Sequence, residues 1–279
     1  MCSGVPETPT TPSSPANRLP LGIVRQIIAH LIYDKHSLLV CSLTCRSWYT
    51  AAVPHLHHTL NLGTKLHAPS RVKWPNPLLH LHKLGLLPLV EQLHIHQDDY
   101  DCRRLSPQRL HRRTLPTLSN LQELHIEYLN IPKFVPKLQR YFGHFSPTLR
   151  SLTLTAPKGT NRQIIYFIGL FQYLDDLELK GFRRTKLPLN RLPPRHDPQE
   201  EPIDCLTPSP PFIPPLRGQL TMRNFWRAEL LKDMISLFGG LRFHSMDLER
   251  MEGVELLWDA CEGTLETWKI GNVVVESGW

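Results

Sequence analysis

Two periodicities of hydrophobic and polar positions divide the chain. From Leu19 the apolar residues recur at helical spacing: Leu21, Val24, Ile27, Ile28, Leu31 and Ile32 share one side at about 100° per residue, and Ile23 widens it. This stripe covers about half of the cylinder, whereas a helix packed on a single core needs an apolar arc of about 100°. Pro20 suits the first helical turn, where its missing N–H leaves no hydrogen bond unmade. Leu38 to Cys45 is apolar nearly all round, broken by Ser42 and Thr44, which predicts a second helix buried on several sides. A third helix is expected from Arg46 through Trp48, Ala51 and Ala52, turning or ending before Pro54. Three short helices within about 40 residues form a unit that seldom stands alone without metal, disulfide or partner, so the surplus apolar face reads as a docking surface.

The residues of this region carry a resemblance. "LPLGIVRQIIAHL", a short linker and "LLVCSLTCRSWYTAAVPHL" resemble the F-box motif in order, spacing and residue type, from Leu19 to about Leu60. One departure is Gly22, where the family usually carries an acidic residue. Losing that carboxylate and adding a weak helix former costs about 1 kcal/mol at the helix start. The resemblance implies binding to the Skp-family adaptor of a cullin-RING ubiquitin ligase, with Leu19, Pro20, Ile23, Ile27, Leu31, Leu39, Cys45 and Trp48 at or behind that interface.

Beyond the helices the pattern changes to apolar-x-x-apolar-x-apolar. It fits Val90-Leu93-Ile95, Leu121-Leu124-Ile126, Leu149-Leu152-Leu154, Leu174-Leu177-Leu179, Phe243-Met246-Leu248 and Leu265-Trp268-Ile270. "QLTM" from Gln219 is a weaker copy, and Leu60 with Leu62 is a candidate start. The first four copies lie 31, 28 and 25 residues apart. Such spacing resembles leucine-rich repeats of about 20 to 29 residues, with the excess assigned to helical returns at Pro132 to Phe145 and Gln163 to Phe171. The family's Asn after each strand is mostly absent, which makes the array degenerate. A strand with its returning helix buries its apolar edge only against a neighbour, so stacked copies are expected to form a solenoid.

The fold class expected is therefore α+β or α/β: an N-terminal three-helix F-box at 18–60, followed by an irregular leucine-rich-repeat-like solenoid at 61–279. If the strands stack in register, their outward residues form ladders on the concave, target-binding face. One reads His94, His125, Thr153, Glu178, Thr221, Asp247, Lys269, and the next His96, Glu127, Thr155, Lys180, Arg223, Glu249. Early rungs offer imidazoles and later rungs alternate in charge, which suits an extended polar protein target.

Composition adds interruptions. Residues 1–17 are rich in Pro, Ser and Thr and read as a disordered tail, with Thr8, Thr11 and Ser14 each before proline. Residues 183–215 hold ten of the 26 prolines and read as a disordered insertion within the repeat domain. The net charge of +7 admits an acidic partner without locating it. Cys102 to Arg113 holds five arginines in twelve residues, the basis of an alternative nucleic-acid-binding reading that the lack of interleaved aromatics weakens.

Chemistry is thin. Six cysteines lie scattered, without the paired spacing of zinc sites or a secreted disulfide framework. "HIHQDD" places His94 and His96 on one strand face with Asp98 following, but no third convergent ligand accompanies them, so they read as outward positions between Leu93 and Ile95. No glycine-rich phosphate loop or nucleophile elbow occurs. The expectation is a non-enzymatic chain without cofactor or metal, cytoplasmic or nuclear, with neither a spanning segment nor a secretory signal. Its expected role is substrate receptor of a Skp-cullin-F-box ubiquitin ligase, binding the adaptor, through it a cullin, and a target protein. An adaptor-bound scaffold without ligase role is the other alternative.

Overall fold

The computed structural model describes residues 19–63, 77–96, 118–131, 138–182, 216–238, 241–251, 254–261, 263–271 and 273–276. The tail, the proline-rich insertion, Asp98 and the arginine run lie outside the described residues. The chain divides into two compact units, residues 1–59 and 60–279.

The first unit consists of α1 (Leu21–His30), α2 (Lys35–Ser42) and α3 (Arg46–His57). Helix α1 starts one residue after Pro20, whose carbonyl accepts from the Ile23 and Val24 N–H groups. Helix α2 begins three residues earlier than the apolar run suggests. Asp34 caps it, its carboxylate accepting from the His36 and Ser37 N–H groups and from the Ser37 hydroxyl, and the Ser37 bonds lower the Asp34 pKa. Helix α3 runs through Pro54 instead of ending before it. Pro54 sits exposed in the last turn, so water can satisfy the Thr50 carbonyl that its missing N–H leaves over, while buried Ala51, Ala52 and Val53 hold the backbone helical. The core of this unit is small: Val24, Ile28, Leu38, Ala51 and Ala52, with Leu31, Cys41, Trp48 and Leu56 packed around them.

The second unit is built on one nine-stranded sheet whose strand order follows the sequence. Strands β1 (Thr59–Gly63), β2 (Gln92–His96), β3 (Glu123–Glu127), β4 (Ser151–Thr155), β5 (Asp176–Lys180), β6 (Leu216–Phe225), β7 (Leu241–Met251), β8 (Thr267–Ile270) and β9 (Val273–Glu276) are joined in part by α4 (Pro77–Lys83), α5 (Leu138–Phe142), α6 (Asn161–Ile168), α7 (Ala228–Leu237) and α8 (Val254–Cys261). Pairing from β2 to β8 is parallel, and β9 returns antiparallel to β8. The expected return at 132–145 contains α5 and a 3-10 turn at Gly143–Phe145, and the return at 163–171 is α6. Thr160 and Gln163 close a capping box on α6, and Asn161 donates to Asp233 of α7.

The repeat template sets the core. Leu93, Ile95, Leu124, Ile126, Leu152, Leu154, Leu177, Leu179, Leu220, Met222, Met246 and Leu248 all face inward from consecutive strands and are buried. The pattern fades at the C-terminal copy, where Leu265 and Trp268 are half-buried and Ile270 is exposed. The backbone repeats as well. The Gln122 carbonyl accepts from both Arg150 and Ser151 N–H, and the Arg150 carbonyl accepts from Asp175 and Asp176 N–H. One residue past the ladders, Tyr128, Ala156, Gly181, Asn224 and Arg250 each adopt positive φ, so a left-handed step recurs at the same place in five strands.

Strand β6 carries a register irregularity, between Gly218 and Gln219. Gly218 has φ +88°, and a Cβ there would lie 1.7 Å from the Asp175 carbonyl oxygen. Only glycine lets β6 close against β5 here.

Candidate functional site

Two surfaces carry the candidate residues. In the first unit, helix α1 has an apolar arc of roughly 160°, of which the part holding buried Val24 and Ile28 spans roughly 40° at 100° per residue, and half-buried Leu31 follows the helix. Leu21 stands exposed on one flank of that arc, Ile23 and Ile27 on the other, and Ile32 is exposed in the turn that follows. In α2 only Leu38 is buried. Leu39 is 52% exposed, Val40 55% and, just past the helix, Leu43 86%. This corrects the expectation that α2 is enclosed on several sides: its apolar perimeter faces outward. A side chain at Gly22 would project into open space, with no atom within 4 Å of its Cβ, and no acidic residue occupies the first turn of α1.

The eight expected adaptor-binding residues separate by depth. Leu19, Pro20, Ile23, Ile27 and Leu39 lie at the surface, whereas Leu31, Cys45 and Trp48 are half-buried behind them. Sequence reasoning missed Val40, Leu43 and Tyr33, all exposed, because an apolar residue intended for a partner is indistinguishable in sequence from one intended for the chain's own core. The Cys45 thiol accepts or donates at 3.1 Å with Ser47, an interaction that lowers its pKa.

Residues 16–63 match the F-box-like family model. The three helices are thus an F-box-like domain, and the exposed apolar residues belong to it. A search of curated proteins returns no match to the chain. Among the described residues no helix is long and apolar enough to cross a membrane, and no group of three or more His, Cys, Asp or Glu could hold a metal ion.

The second surface is the polar face of the sheet. Both expected ladders pair in the expected register, from His94↔His125 through Thr221↔Asp247 to Asp247↔Lys269, and from His96↔Glu127 through Lys180↔Arg223 to Arg223↔Glu249. A third column, not singled out from the sequence, runs beside them: Gln92, Glu123, Ser151, Asp176, Gln219, Ser245 and Thr267. Period-two alternation from Leu93 and Ile95 was the signal that could have found it.

Neighbouring rungs interact. The His94 and His125 rings stack at 4.3 Å and 14°, His96 Nδ1 pairs with Glu127 Oε2, and His125 Nε2 lies 3.5 Å from Glu123 Oε2. Glu178 receives Lys180 at 2.7 Å and lies 4.0 Å from Arg223, which reaches Asp247 at 3.4 Å. Burial and then the Asp175 and Glu123 carboxylates raise the Asp176 pKa, opposed by His244. The expectation that every ladder position faces solvent fails at Thr153, which is only 7% exposed and donates to Glu178. An open hollow of about 520 Å³ lined by Glu91, Asn120, Gln122, Pro147, Thr148 and Arg150 contains none of the ladder residues.

Proposed function

We propose that the chain is a substrate-receptor subunit of a Skp-cullin-F-box ubiquitin ligase. The observation that carries this reading is the coincidence of the F-box-like match with a helical surface whose apolar side chains, Leu21, Ile23, Ile27, Leu39, Val40 and Leu43, its own small core leaves exposed. F-box domains generally bind Skp-family adaptors, and covering those side chains with an adaptor supplies the burial the three helices lack.

The second unit, read as an irregular leucine-rich-repeat-like solenoid, holds a target protein on its polar sheet face. The candidate contacts are His94, His96, His125, Glu127, Glu178, Lys180, Arg223, Asp247 and Glu249. The chain supplies no catalytic group or cofactor. It acts by holding the target beside the ubiquitin-conjugating enzyme, raising effective concentration and fixing orientation. Such a role places it in the cytoplasm or nucleus.

The test is co-expression of the full chain with a Skp-family adaptor and a cullin. Wild type is expected to co-purify with both, and the Leu39→Asp variant with neither. Recovery of the adaptor without the cullin would favour a scaffold role, and indifference to the adaptor would refute the reading.

A further inference from the structure

The open-face residues of β4 are Ser151, Thr153 and Thr155, all short, between the longer side chains of two flanking strands. Glu123, His125 and Glu127 of β3 stand on one side, and Asp176, Glu178 and Lys180 of β5 on the other, each in register with a β4 residue. The two walls are two strand spacings apart, roughly 9.5 Å. The result is a trough along β4 whose floor includes the buried Thr153.

The walls are unbalanced in charge. They carry four carboxylates against one lysine, and that lysine is already paired with Glu178 at 2.7 Å. This stands out in a chain whose net charge is +7. Glu123 and Asp176 face each other across Ser151, and their repulsion helps raise the Asp176 pKa. A carboxylate can accept from about four directions. Glu123 meets Gln92 and His125, and Glu127 meets His96, which leaves room on both for further donors.

We infer that the trough over β4 binds an extended, basic segment of the target protein, with arginine or lysine side chains reaching the Glu123, Glu127 and Asp176 carboxylates. The inference rests on the receptor reading and names the chemistry of its target. An extended chain lying along β4 repeats its side chains on one face every two residues, roughly 6.8 Å, the same period as Glu123, His125 and Glu127 on the wall. Arginine suits the site best, because its planar guanidinium can meet a carboxylate with two hydrogen bonds and lie against the imidazole of His125. Phosphate groups meet like charge on both walls, so nucleic acid is not the occupant.

The test uses the full chain co-purified with the adaptor, and fluorescence anisotropy with three labelled probes of equal length: an alternating arginine-serine peptide, an alternating glutamate-serine peptide and an RNA. The arginine peptide is expected to bind, and binding should fall as salt screens the walls. The Glu123→Gln/Asp176→Asn double variant should weaken it about fivefold or more. Ser151→Arg, which places a tethered guanidinium between those carboxylates, should weaken it as well, while Glu255→Gln, exposed on helix α8 and outside the ladders, should not. Thermal unfolding of each variant confirms the fold. Equal binding of the two peptides, preference for RNA, or wild-type affinity in the double variant would overturn the inference. Adaptor recovery in the same preparations separates the two claims: adaptor bound without the arginine peptide sinks the trough alone, and the arginine peptide bound without adaptor sinks the receptor reading.

Discussion

Replacing Leu39 and Leu43 together with serine is expected to weaken docking about a hundredfold while leaving the helices folded. Leu39 is 52% exposed and Leu43 86%, so neither contributes much to the core of Val24, Ile28, Leu38, Ala51 and Ala52. Fully burying a leucine stabilises by about 1.5 to 3 kcal/mol, so covering the exposed parts of these two is worth about 3 kcal/mol together. Losing that contribution weakens the adaptor complex about a hundredfold. The neighbouring Leu38 is fully buried, and Leu38→Ala should instead destabilise the unit by about 2 to 5 kcal/mol. Titration calorimetry against the adaptor and urea unfolding followed by circular dichroism read the two effects separately. If the double serine variant binds like wild type, or unfolds as readily as Leu38→Ala, the assignment of the exposed arc to a partner is wrong.

Further outcomes concern single residues of both units. Gly218→Ala should destabilise the protein by several kcal/mol and yield little soluble material, because its Cβ would fall 1.7 Å from the Asp175 oxygen, whereas Gly22→Ala, open on all sides, should not lower the melting temperature. Thr160→Ala should cost about 1 kcal/mol in urea unfolding by removing the cap on α6. Burial pushes the Cys261 thiol up to about 11 from 9.0. Its contribution to stability is therefore fully present below about pH 9 and lost as pH rises through about 11, since only the unfolded chain ionises readily in that window. Urea titrations across it should show a shallower decline for Cys261→Ala than for wild type, and alkylation near neutral pH should mark Cys45 before the buried Cys261.

The register of the sheet was legible because burial enforces it. A slip of one residue would turn Leu124 and Ile126 outward and His125 inward, so apolar-x-x-apolar-x-apolar specifies both the inward pair and the ladder between its members. The template weakened where other forces set the path. Strand β6 follows the proline-rich residues 183–215 in sequence and is shaped by Gly218, whose need is a backbone approach from 43 residues away in sequence and leaves no periodic trace. The end of the array was overread: Ile270 fits the pattern but is 38% exposed, and β9 pairs antiparallel without a template copy of its own. In the F-box-like helices the amount of apolar surface was readable, but its location was not. Leu38 and Leu39 look alike in the sequence, and only the three-dimensional packing shows that one holds the unit together and the other stands exposed.

The central claim is that the F-box-like helices are completed by another polypeptide. Amide hydrogen exchange of the full chain, alone and saturated with a Skp-family adaptor, tests it most directly. The expected result is slowed exchange concentrated in residues 19–43, where the apolar side chains are exposed. Unchanged exchange there, or protection confined to the sheet, would contradict it.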